Sequence, residues 1–549
     1  MAVPSVHPDR VDWAPGGPLA ELTSRPTLGE ALAERCRRAP DSVVAYVQQD
    51  DDYWHRVTAA GLWAGAVTAA HAFASAGVGP GDHVALCADT STELLEALFG
   101  CVLLGAAPFV VEPVLTEART EQWTSRFQHM VVVACPAAVF TAGPAAQITQ
   151  KAGAELGLPV LVGPLDPGDT HLNLPHPVSP DATAYLQFSS GTTGDAKAVV
   201  MTHRKLLANV AAVGRRVGYL KNDLLVSWLP LHHDMGLVGA VFSTFLHGIP
   251  VALMPPLSFA FRPERWPQAV SHFRGTLSPA PNFAYHLSAR RISEEALADM
   301  DLRSWRAAFN GAEAVNPDTL RLWQERMGPA GFAEETMQPC YGMAEVGIAF
   351  SLSRPGTKPR VLYADRTELA DSGRIVPVPA DHADAQPLTA VGRPLEGYQV
   401  RVVDTDGNEL PEYHQGELVL SGPSLTDGYL TTGSASDNPR DGRLHSGDLG
   451  FLADGDLFVT GRIKDLLIIA GRNYLPYSLE DAAASLDGVR RGSVAALGMF
   501  EPDTGTESLV LVAESPAAQE PSSELATLLA RQIETTVAER TGLRPDRVV

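Results

Sequence analysis

Short apolar runs alternate with longer helix-like stretches in the first part of the chain. Thr27 and Glu30 form a capping box that predicts the start of a helix, and Thr58 is predicted to cap a second, alanine-rich helix. Strands that alternate with helices at this spacing predict a doubly wound α/β sheet. The strands are predicted at 43–48, 84–87, 107–111, 130–135 and 160–162.

Two apolar stretches, 94–114 and 238–257, have the length of a membrane span. The first is interrupted by Glu96 and Glu112, and the second by His247 and three prolines. Each is therefore predicted to be a buried helix that turns through a glycine into a buried strand.

The pattern changes in the last third of the chain. Short antiparallel strands with Gly/Asp turns are predicted at 398–403, 416–420 and 457–459. The preceding segment, 353–387, is rich in Pro, Gly, Asp and Arg and shows little periodicity. It is either an insertion packed on the surface or a disordered loop.

Composition narrows the possible functions. A chain of 549 residues is long enough for roughly two to four folding units. The net charge of −22 and a pI near 5.1 argue against binding to nucleic acid or to an anionic membrane surface. Five scattered cysteines suggest neither a metal site nor a disulfide framework. No signal peptide is visible, and we expect a cytoplasmic protein without membrane insertion.

A glycine-rich loop supplies the first chemical signal. The run Ser189-Ser190-Gly191-Thr192-Thr193-Gly194-Asp195-Ala196-Lys197 joins predicted strands at 185–188 and 198–201. Its backbone amides, hydroxyls and lysine suit a polyphosphate. Neither a Walker A loop nor a dinucleotide fingerprint fits the pattern. A polar turn in a hairpin is the alternative.

Further along, several residues suit a nucleotide. Gly311 and Gly342 follow apolar runs, where the backbone can approach a planar base, and Tyr341 offers a ring for stacking. Glu345 offers a hard oxygen for Mg²⁺. Taken alone, Tyr341 is more often a half-buried core aromatic.

The last motifs add a carboxylate and two cations. Ser446-Gly447-Asp448 places a carboxylate where it can grip a ribose diol, and Arg462 and Lys464 lie near a turn. Taken alone, Asp448 is more often a turn residue and Arg462 a surface ion-pair partner.

Together and in this order, the motifs resemble the adenylate-forming superfamily, and most of all its fatty acyl-AMP ligases. The resemblance covers nearly the whole chain. The stretches that carry it most specifically are LPLHHDMGLVG, RPERW, SPAPNFAYHL, FNGAEAV, PCYGMAE, VGRPLEG and TGRIKDLLIIAGRNYLP.

The resemblance implies a division of the chain. A flexible tail, 1–22, precedes a large N-terminal domain, 23–462, of doubly wound α/β subdomains plus a small β-barrel-like subdomain. A small, mobile α+β C-terminal domain follows at 463–549. The segment 353–387 corresponds to an insertion that is thought to restrain the small domain and to suppress use of coenzyme A.

The resemblance also assigns roles, with ATP and Mg²⁺ as cofactors. Catalysis is assigned to His233, Glu345 and Lys464, with Glu345 as the Mg²⁺ ligand and Lys464 as the hinge. The acyl-binding set is His233, Met235, Gly236, Asn282 and Phe283. The ATP- and AMP-binding set is Ser189, Ser190, Gly191, Thr192, Thr193, Gly194, Lys197, Gly311, Ala312, Glu313, Tyr341, Gly342, Met343, Ala344, Asp448 and Arg462.

The implied reaction has two steps. A fatty or related apolar carboxylic acid is activated to acyl-AMP with release of pyrophosphate. The acyl group then passes to the phosphopantetheine thiol of an acyl carrier protein in polyketide, nonribosomal peptide or lipid biosynthesis. The alternatives are an acyl-CoA ligase of the same superfamily and a non-catalytic adenylate- or acyl-binding module.

The end of the chain departs from the family pattern. Small domains of this family finish with a Pro-x-Thr-x-Ser-Gly-Lys stretch whose lysine assists adenylation, whereas no lysine follows Lys464 here. We expect the C-terminal domain to be incomplete and adenylate formation by this chain to be slow.

Overall fold

The computed structural model describes most of the chain. The described residues are 23–49, 53–114, 119–166, 172–189, 197–432, 439–469, 472–474, 476–490, 492–501, 506–515 and 524–549.

A four-stranded parallel sheet forms the first α/β layer. Three of its strands, His83–Cys87, Ala107–Val110 and Ala138–Thr141, are buried except at His83, as expected for a parallel sheet covered on both faces. In spatial order the strands are Ala107–Val110, His83–Cys87, Ala138–Thr141 and Val160–Val162.

A nine-stranded sheet forms the second layer. Its central strands are parallel, and antiparallel strands close both edges. This arrangement confirms the predicted α/β class. In spatial order the strands are Arg393–Pro394, Ser351–Leu352, Met337–Tyr341, Ala307–Gly311, Leu277–Pro281, Leu225–Ser227, Val251–Leu253, Val43–Gln48 and Trp54–Thr58.

Helices cover these sheets, and several begin at the predicted caps. The hydroxyl of Thr27 accepts a hydrogen bond from the backbone N–H of Glu30, and Thr58 and Ser91 cap the next helices in the same way. The α-helices up to residue 327 are Leu28–Arg38, Ala59–Ser75, Thr92–Leu104, Thr120–Ala134, Ala146–Glu155, His203–Val217, Ser243–Leu246, Pro256–Phe261, Arg265–Phe273, Asn282–Arg291, Glu294–Ala298 and Pro317–Met327.

The structure also contains a π-helix and several short 3₁₀ turns. A π-helix spans Met235–Phe242. The 3₁₀ turns are Gly143–Ala145, Gly328–Ala330, Glu334–Thr336, Ala344–Val346 and Ile463–Asp465.

Both long apolar stretches are buried, as predicted. The first is the helix Thr92–Leu104, which ends at Gly105 in a left-handed conformation before the strand Ala107–Val110. The second runs from the π-helix through Gly248 into the strand Val251–Leu253. No helix within the described ranges combines the length and the apolar character that crossing a membrane requires.

One predicted strand is wrong. Residues 130–134 belong to the helix Thr120–Ala134, and Cys135 is the C-cap of that helix. Its run of valines favours a strand locally, but Trp123 and Phe127 lie one helical turn apart and are buried together. The strand lies later, at Ala138–Thr141.

The last third of the large region is antiparallel. A four-stranded sheet contains Gln399–Val403, Gly416–Ser421, Leu444–Ala453 and Asp456–Arg462, and it corresponds to the predicted small β subdomain. A second, three-stranded sheet contains Tyr429–Leu430, Lys197–Thr202 and Thr183–Ser189.

The segment 353–387 is packed on the surface, which agrees with the first of its two predicted alternatives. It contains the strand Val361–Asp365 and the helix Arg366–Ser372, and the strand Ala385–Thr389 begins within it. Its apolar side chains form a small core with Leu388 and Ala390, which follow the segment, and with three residues of the four-stranded sheet. This core includes Leu362, Ala364, Leu369, Ile375, Leu388, Phe451 and Phe458.

The C-terminal residues form an α+β unit with its own core. It contains two helices, a two-stranded sheet and a three-stranded sheet, and its core includes Leu479, Leu509, Ile533 and Val537. The strands are Leu467–Ile469, Arg472–Tyr474, Val494–Glu501, Thr506–Ala513 and Arg547–Val548, and the helices are Pro476–Ala484 and Glu524–Thr541.

A buried histidine makes the fold sensitive to acid. His203 is buried, and its Nδ1 atom accepts a hydrogen bond of 3.3 Å from the backbone N–H of Leu28, so the folded ring is neutral. Burial lowers the pKa of His203 to about 4.

The unfolded imidazole binds a proton as the pH falls through its ordinary pKa near 6.5, whereas the folded ring stays neutral until about pH 4. We therefore expect His203 alone to cost about 2 kcal/mol of unfolding free energy between pH 6.5 and pH 5. Urea unfolding at both pH values checks this in wild type and in His203→Asn. An equal loss in both proteins contradicts it.

Candidate active site

Two neighbouring parallel strands bring the first motifs together. Ala307–Gly311 lies beside Met337–Tyr341 in the nine-stranded sheet. Both strands end at the same edge, so the segments 311–313 and 341–345 that follow them lie next to each other. Ligands of open α/β sheets bind at this edge.

The Asp448 carboxylate joins this edge from the four-stranded sheet. The Tyr341 hydroxyl donates to its Oδ2 atom at 2.6 Å, and the Arg462 Nε atom donates to its Oδ1 atom at 3.1 Å. Asp448 is buried and Arg462 is exposed. Burial raises the pKa of Asp448, while the hydrogen bond from Tyr341 and the charge of Arg462 oppose that rise.

Glu345 lies in the 3₁₀ turn Ala344–Val346, just beyond the same edge. Its Oε1 atom accepts a hydrogen bond of 3.1 Å from the Tyr429 hydroxyl, and its backbone carbonyl accepts one of 2.7 Å from the N–H of Thr426. Burial raises the pKa of the Glu345 carboxyl.

The Glu345 carboxylate is the candidate metal-binding group at this edge, and it suits Mg²⁺ better than a transition metal. Within the described part of the chain, no three His, Cys, Asp or Glu side chains converge on a metal position. Mg²⁺ is usually held by one or two carboxylates together with substrate phosphates. A single hard carboxylate such as Glu345 fits that mode of binding.

A cavity of about 540 Å³ is lined by Tyr341, Asp448 and Arg462, whereas Glu345 does not line it. It extends to the segment 353–387 and to the C-terminal unit, which contribute Arg366, Tyr474 and Arg540. The predicted nucleotide residues that line it are Ala312, Glu313, Tyr341, Gly342, Met343, Asp448 and Arg462.

Packing within the protein also requires the two motif glycines. A Cβ atom on Gly342 would lie 1.7 Å from the carbonyl oxygen of Ile348, and one on Gly311 would lie 2.7 Å from the Sγ atom of Cys340. Neighbouring segments of the protein leave no room for a side chain at either position. The predicted contact of these glycines with a nucleotide stays a prediction.

Three residues of the predicted acyl-binding set lie at the start of the π-helix: His233 precedes it, and Met235 and Gly236 are its first two residues. The His233 side chain is exposed, and its ring centroid lies 4.6 Å from that of His232. Next to it, Asp234 accepts a hydrogen bond of 2.6 Å from the backbone N–H of Met235, and burial raises the pKa of Asp234 to about 6. A Cβ atom on Gly236 would lie 2.2 Å from a backbone oxygen.

A second cavity adjoins His232. Its volume is about 680 Å³, and it lies at the carboxyl ends of the strands His83–Cys87 and Ala107–Val110. Charged and aromatic side chains share its wall. They include Asp89, Glu112, Arg119, Trp123 and Arg126.

The two remaining residues of the predicted acyl-binding set, Asn282 and Phe283, make polar and aromatic contacts with neighbouring segments. The Asn282 side-chain oxygen accepts from the backbone N–H of Asn316 at 3.2 Å. The backbone N–H of Phe283 donates to the Glu313 carboxylate, which ties this segment to the nucleotide edge. The Phe283 ring is half exposed and lies edge-on to Trp228, with 6.2 Å between centroids.

The glycine-rich loop connects two antiparallel strands, as predicted. Ser189 ends the first strand and Lys197 begins the second. Ser190, Gly191, Thr192, Thr193 and Gly194 lie outside the described residues, at 190–196. The exposed Lys464 lies in the 3₁₀ turn Ile463–Asp465, two residues after Arg462.

Three residues at this site escaped the sequence predictions. Asp234 follows His233 directly, so the His-His-Asp run was a visible signal. Tyr429 and Asn209 reach the Glu345 segment from distant parts of the chain, and no motif considered above contains either residue.

Comparison with known proteins identifies the family to which the chain belongs. The model of the family described as AMP-binding enzyme matches residues 32–430, well over half of the chain. The chain belongs to the AMP-binding enzyme family.

Several relatives of this AMP-binding enzyme carry the names of fatty-acid ligases. The long-chain-fatty-acid–AMP ligase FadD26 of Mycobacterium marinum is 30% identical over 97% of this chain and 94% of its own length. The medium-chain-fatty-acid–[acyl-carrier-protein] ligase JamA of Moorena producens is 35% identical over 61% of this chain and 59% of its own. A Caulobacter vibrioides relative with an acyl-CoA synthetase name is 33% identical over 81% and 79%.

A solved structure from studies of fatty acyl-adenylate ligases of E. coli and L. pneumophila superposes on this AMP-binding enzyme with a TM-score of 0.85. It is 29% identical, and the match covers 98% of this chain and 94% of that one. The resemblance to fatty acyl-AMP ligases is thereby confirmed along nearly the whole chain.

Proposed function

We propose that this AMP-binding enzyme activates a fatty acid with ATP, forming acyl-AMP and pyrophosphate, and then transfers the acyl group to the phosphopantetheine thiol of an acyl carrier protein. The observation that carries the proposal is the buried Asp448 carboxylate, which Tyr341 and Arg462 contact on the wall of a cavity that also reaches the C-terminal unit. The ligase names of the relatives support it.

We assign a group of residues to each part of the nucleotide. Asp448 accepts hydrogen bonds from the ribose hydroxyls, and the charge of Arg462 favours the ionised form of its carboxyl. Tyr341 and the segments 311–313 and 342–344 bind the adenine. The glycine-rich loop, with Lys197, binds the β- and γ-phosphates.

The protein is expected to accelerate the reaction mainly by positioning the reactants and by stabilising charge on the phosphate oxygens, without forming a covalent intermediate. A carboxylate oxygen of the fatty acid attacks the α-phosphorus, the bond to the β-phosphate oxygen breaks, and pyrophosphate leaves. Glu345 would hold Mg²⁺, which when bound would supply positive charge to the phosphate oxygens. His233 and Met235 orient the fatty acid carboxylate, and Gly236, Asn282 and Phe283 border its chain.

The C-terminal unit, 463–549, acts as the small domain, with Lys464 as its hinge. Two contacts support a restrained position: Arg366 donates to the carbonyl of Arg540, and the Asn316 side chain donates to Asp481. An insertion that holds the small domain favours carrier protein over coenzyme A. The unpaired cysteines accord with a cytoplasmic location.

Mass spectrometry tests the proposed reaction. The protein is incubated with ATP, Mg²⁺ and a series of fatty acids, and acyl-AMP is measured. Phosphopantetheinylated carrier protein or coenzyme A is then added, with carrier protein that lacks the arm as the matched control. We expect acyl-AMP, followed by acylation of the loaded carrier protein only.

Each alternative has its own outcome in this experiment. Acyl-CoA as the main product identifies an acyl-CoA ligase. Binding of a synthetic acyl-adenylate without any ATP-dependent acyl-AMP identifies a non-catalytic binding module.

A further inference from the structure

Tyr429 connects Glu345 to the strand that follows the glycine-rich loop. It lies in the strand Tyr429–Leu430, which pairs with Lys197–Thr202 so that Tyr429 is opposite Val199. Its half-buried hydroxyl donates to Glu345 Oε1 at 3.1 Å. A carboxylate oxygen accepts and a phenol hydroxyl donates, so the hydroxyl is the donor of this hydrogen bond.

Thr426 fixes the backbone of Glu345 from the same side. Its N–H donates to the carbonyl of Glu345 at 2.7 Å, and its hydroxyl donates to the carbonyl of Val200 at 2.7 Å. The hydroxyl also accepts from the N–H of Gly428 at 3.2 Å. The turn that carries Tyr429 is therefore attached to the strand beyond the loop at several points.

Asn209 fixes the chain on the other side of Glu345. It is buried in the helix His203–Val217, which begins directly after the same strand. Its amide nitrogen donates to the carbonyl of Ala349 at 2.9 Å, and its amide oxygen accepts from the N–H of Ile348 at 3.2 Å. Glu345 is thus placed by backbone contacts on both sides, and Tyr429 alone of these residues contacts its carboxylate.

We propose that Tyr429 is a positioning residue that holds Glu345 Oε1 and so directs the other carboxylate oxygen toward the magnesium ion of bound MgATP. This inference rests on the proposed function of Glu345. Partners that orient a metal-binding carboxylate typically change metal affinity by about 10- to 100-fold when they are removed.

The substitution Tyr429→Phe removes the hydroxyl and keeps the ring. Tyr413→Phe is the matched control, because the Tyr413 hydroxyl also donates to a carboxylate, Asp454 Oδ2 at 3.0 Å, away from the cavity. Mn²⁺ binding in the presence of a non-hydrolysable ATP analogue is measured by electron paramagnetic resonance. We expect Mn²⁺ affinity about tenfold weaker in Tyr429→Phe and unchanged in Tyr413→Phe.

Two further measurements separate positioning from a structural role. The Mg²⁺ concentration for half-maximal acyl-AMP formation rises about tenfold in Tyr429→Phe, and saturating Mg²⁺ restores the rate. In a Glu345→Gln background, adding Tyr429→Phe has no further effect on Mn²⁺ affinity, because the hydroxyl acts through Glu345.

The outcomes keep this inference apart from the proposed function. Equal Mn²⁺ affinity in wild type and Tyr429→Phe overturns the inference even if wild type forms acyl-AMP. A Tyr429→Phe effect that persists in the Glu345→Gln background overturns it as well. If wild type forms no acyl-AMP but the affinity difference is present, the proposed function fails and the positioning role stands.

Discussion

Glu345→Gln is expected to lower the rate of acyl-AMP formation by about 10²–10³-fold, the usual cost of removing one preorganised electrostatic contact at a reacting centre. The amide keeps the shape of the side chain and an oxygen that can accept from Tyr429. It loses the negative charge that holds Mg²⁺ against the phosphates. Single-turnover formation of acyl-AMP at saturating ATP measures the loss.

An exposed glutamate provides the control for this prediction. Glu409 forms a surface ion pair of 2.8 Å with Arg401, and such pairs contribute little. Glu409→Gln should therefore leave the rate unchanged. A Glu345→Gln protein that works within a few-fold of wild type shows that Glu345 has no part in holding the metal.

Asp448→Asn is expected to weaken ATP binding by about 100-fold, since each hydrogen bond to a charged group contributes about 1.5–3 kcal/mol. The carboxylate offers two acceptor oxygens to the ribose diol, whereas the amide offers one acceptor and a misplaced donor. Isothermal titration calorimetry with ATP measures the change. Because Arg462 is exposed, losing its partner should leave the fold intact.

The chain contains a matched control for Asp448. Asp454 also accepts from a tyrosine and an arginine, Tyr413 at 3.0 Å and Arg360 at 2.6 Å, but it is exposed and lies outside the cavity. Asp454→Asn should leave ATP affinity unchanged. Equal affinities in both variants and wild type mean that Asp448 does not bind the ribose.

The part of the site that could be predicted from the sequence lies at the ends of strands. The segments after residues 310 and 340 follow short apolar runs, and parallel strands bring such segments to one edge. The contact between Asp448 and Arg462 is similarly local, because the two residues face each other across adjacent antiparallel strands.

The part that could not be predicted depends on long-range packing. Tyr429 and Glu345 are 84 positions apart, and Asn209 and Ile348 are 139 apart. No local sequence pattern signals either pair, because the contacts form only when distant segments of the chain pack together. Local propensity also failed at residues 130–135, where burial of Trp123 and Phe127 on one helical face outweighed a run of valines.

The core that the segment 353–387 shares with the neighbouring sheet determines which variants can test the role of the segment. Deleting the segment removes Leu362 and Leu369 and leaves Phe451 and Phe458 of the neighbouring sheet facing solvent. If the deletion protein expressed poorly or aggregated, the result would not show whether the segment determines the choice between carrier protein and coenzyme A. Arg366→Ala is the cleaner tool, since it removes the contact with Arg540 and keeps every apolar side chain of that core in place.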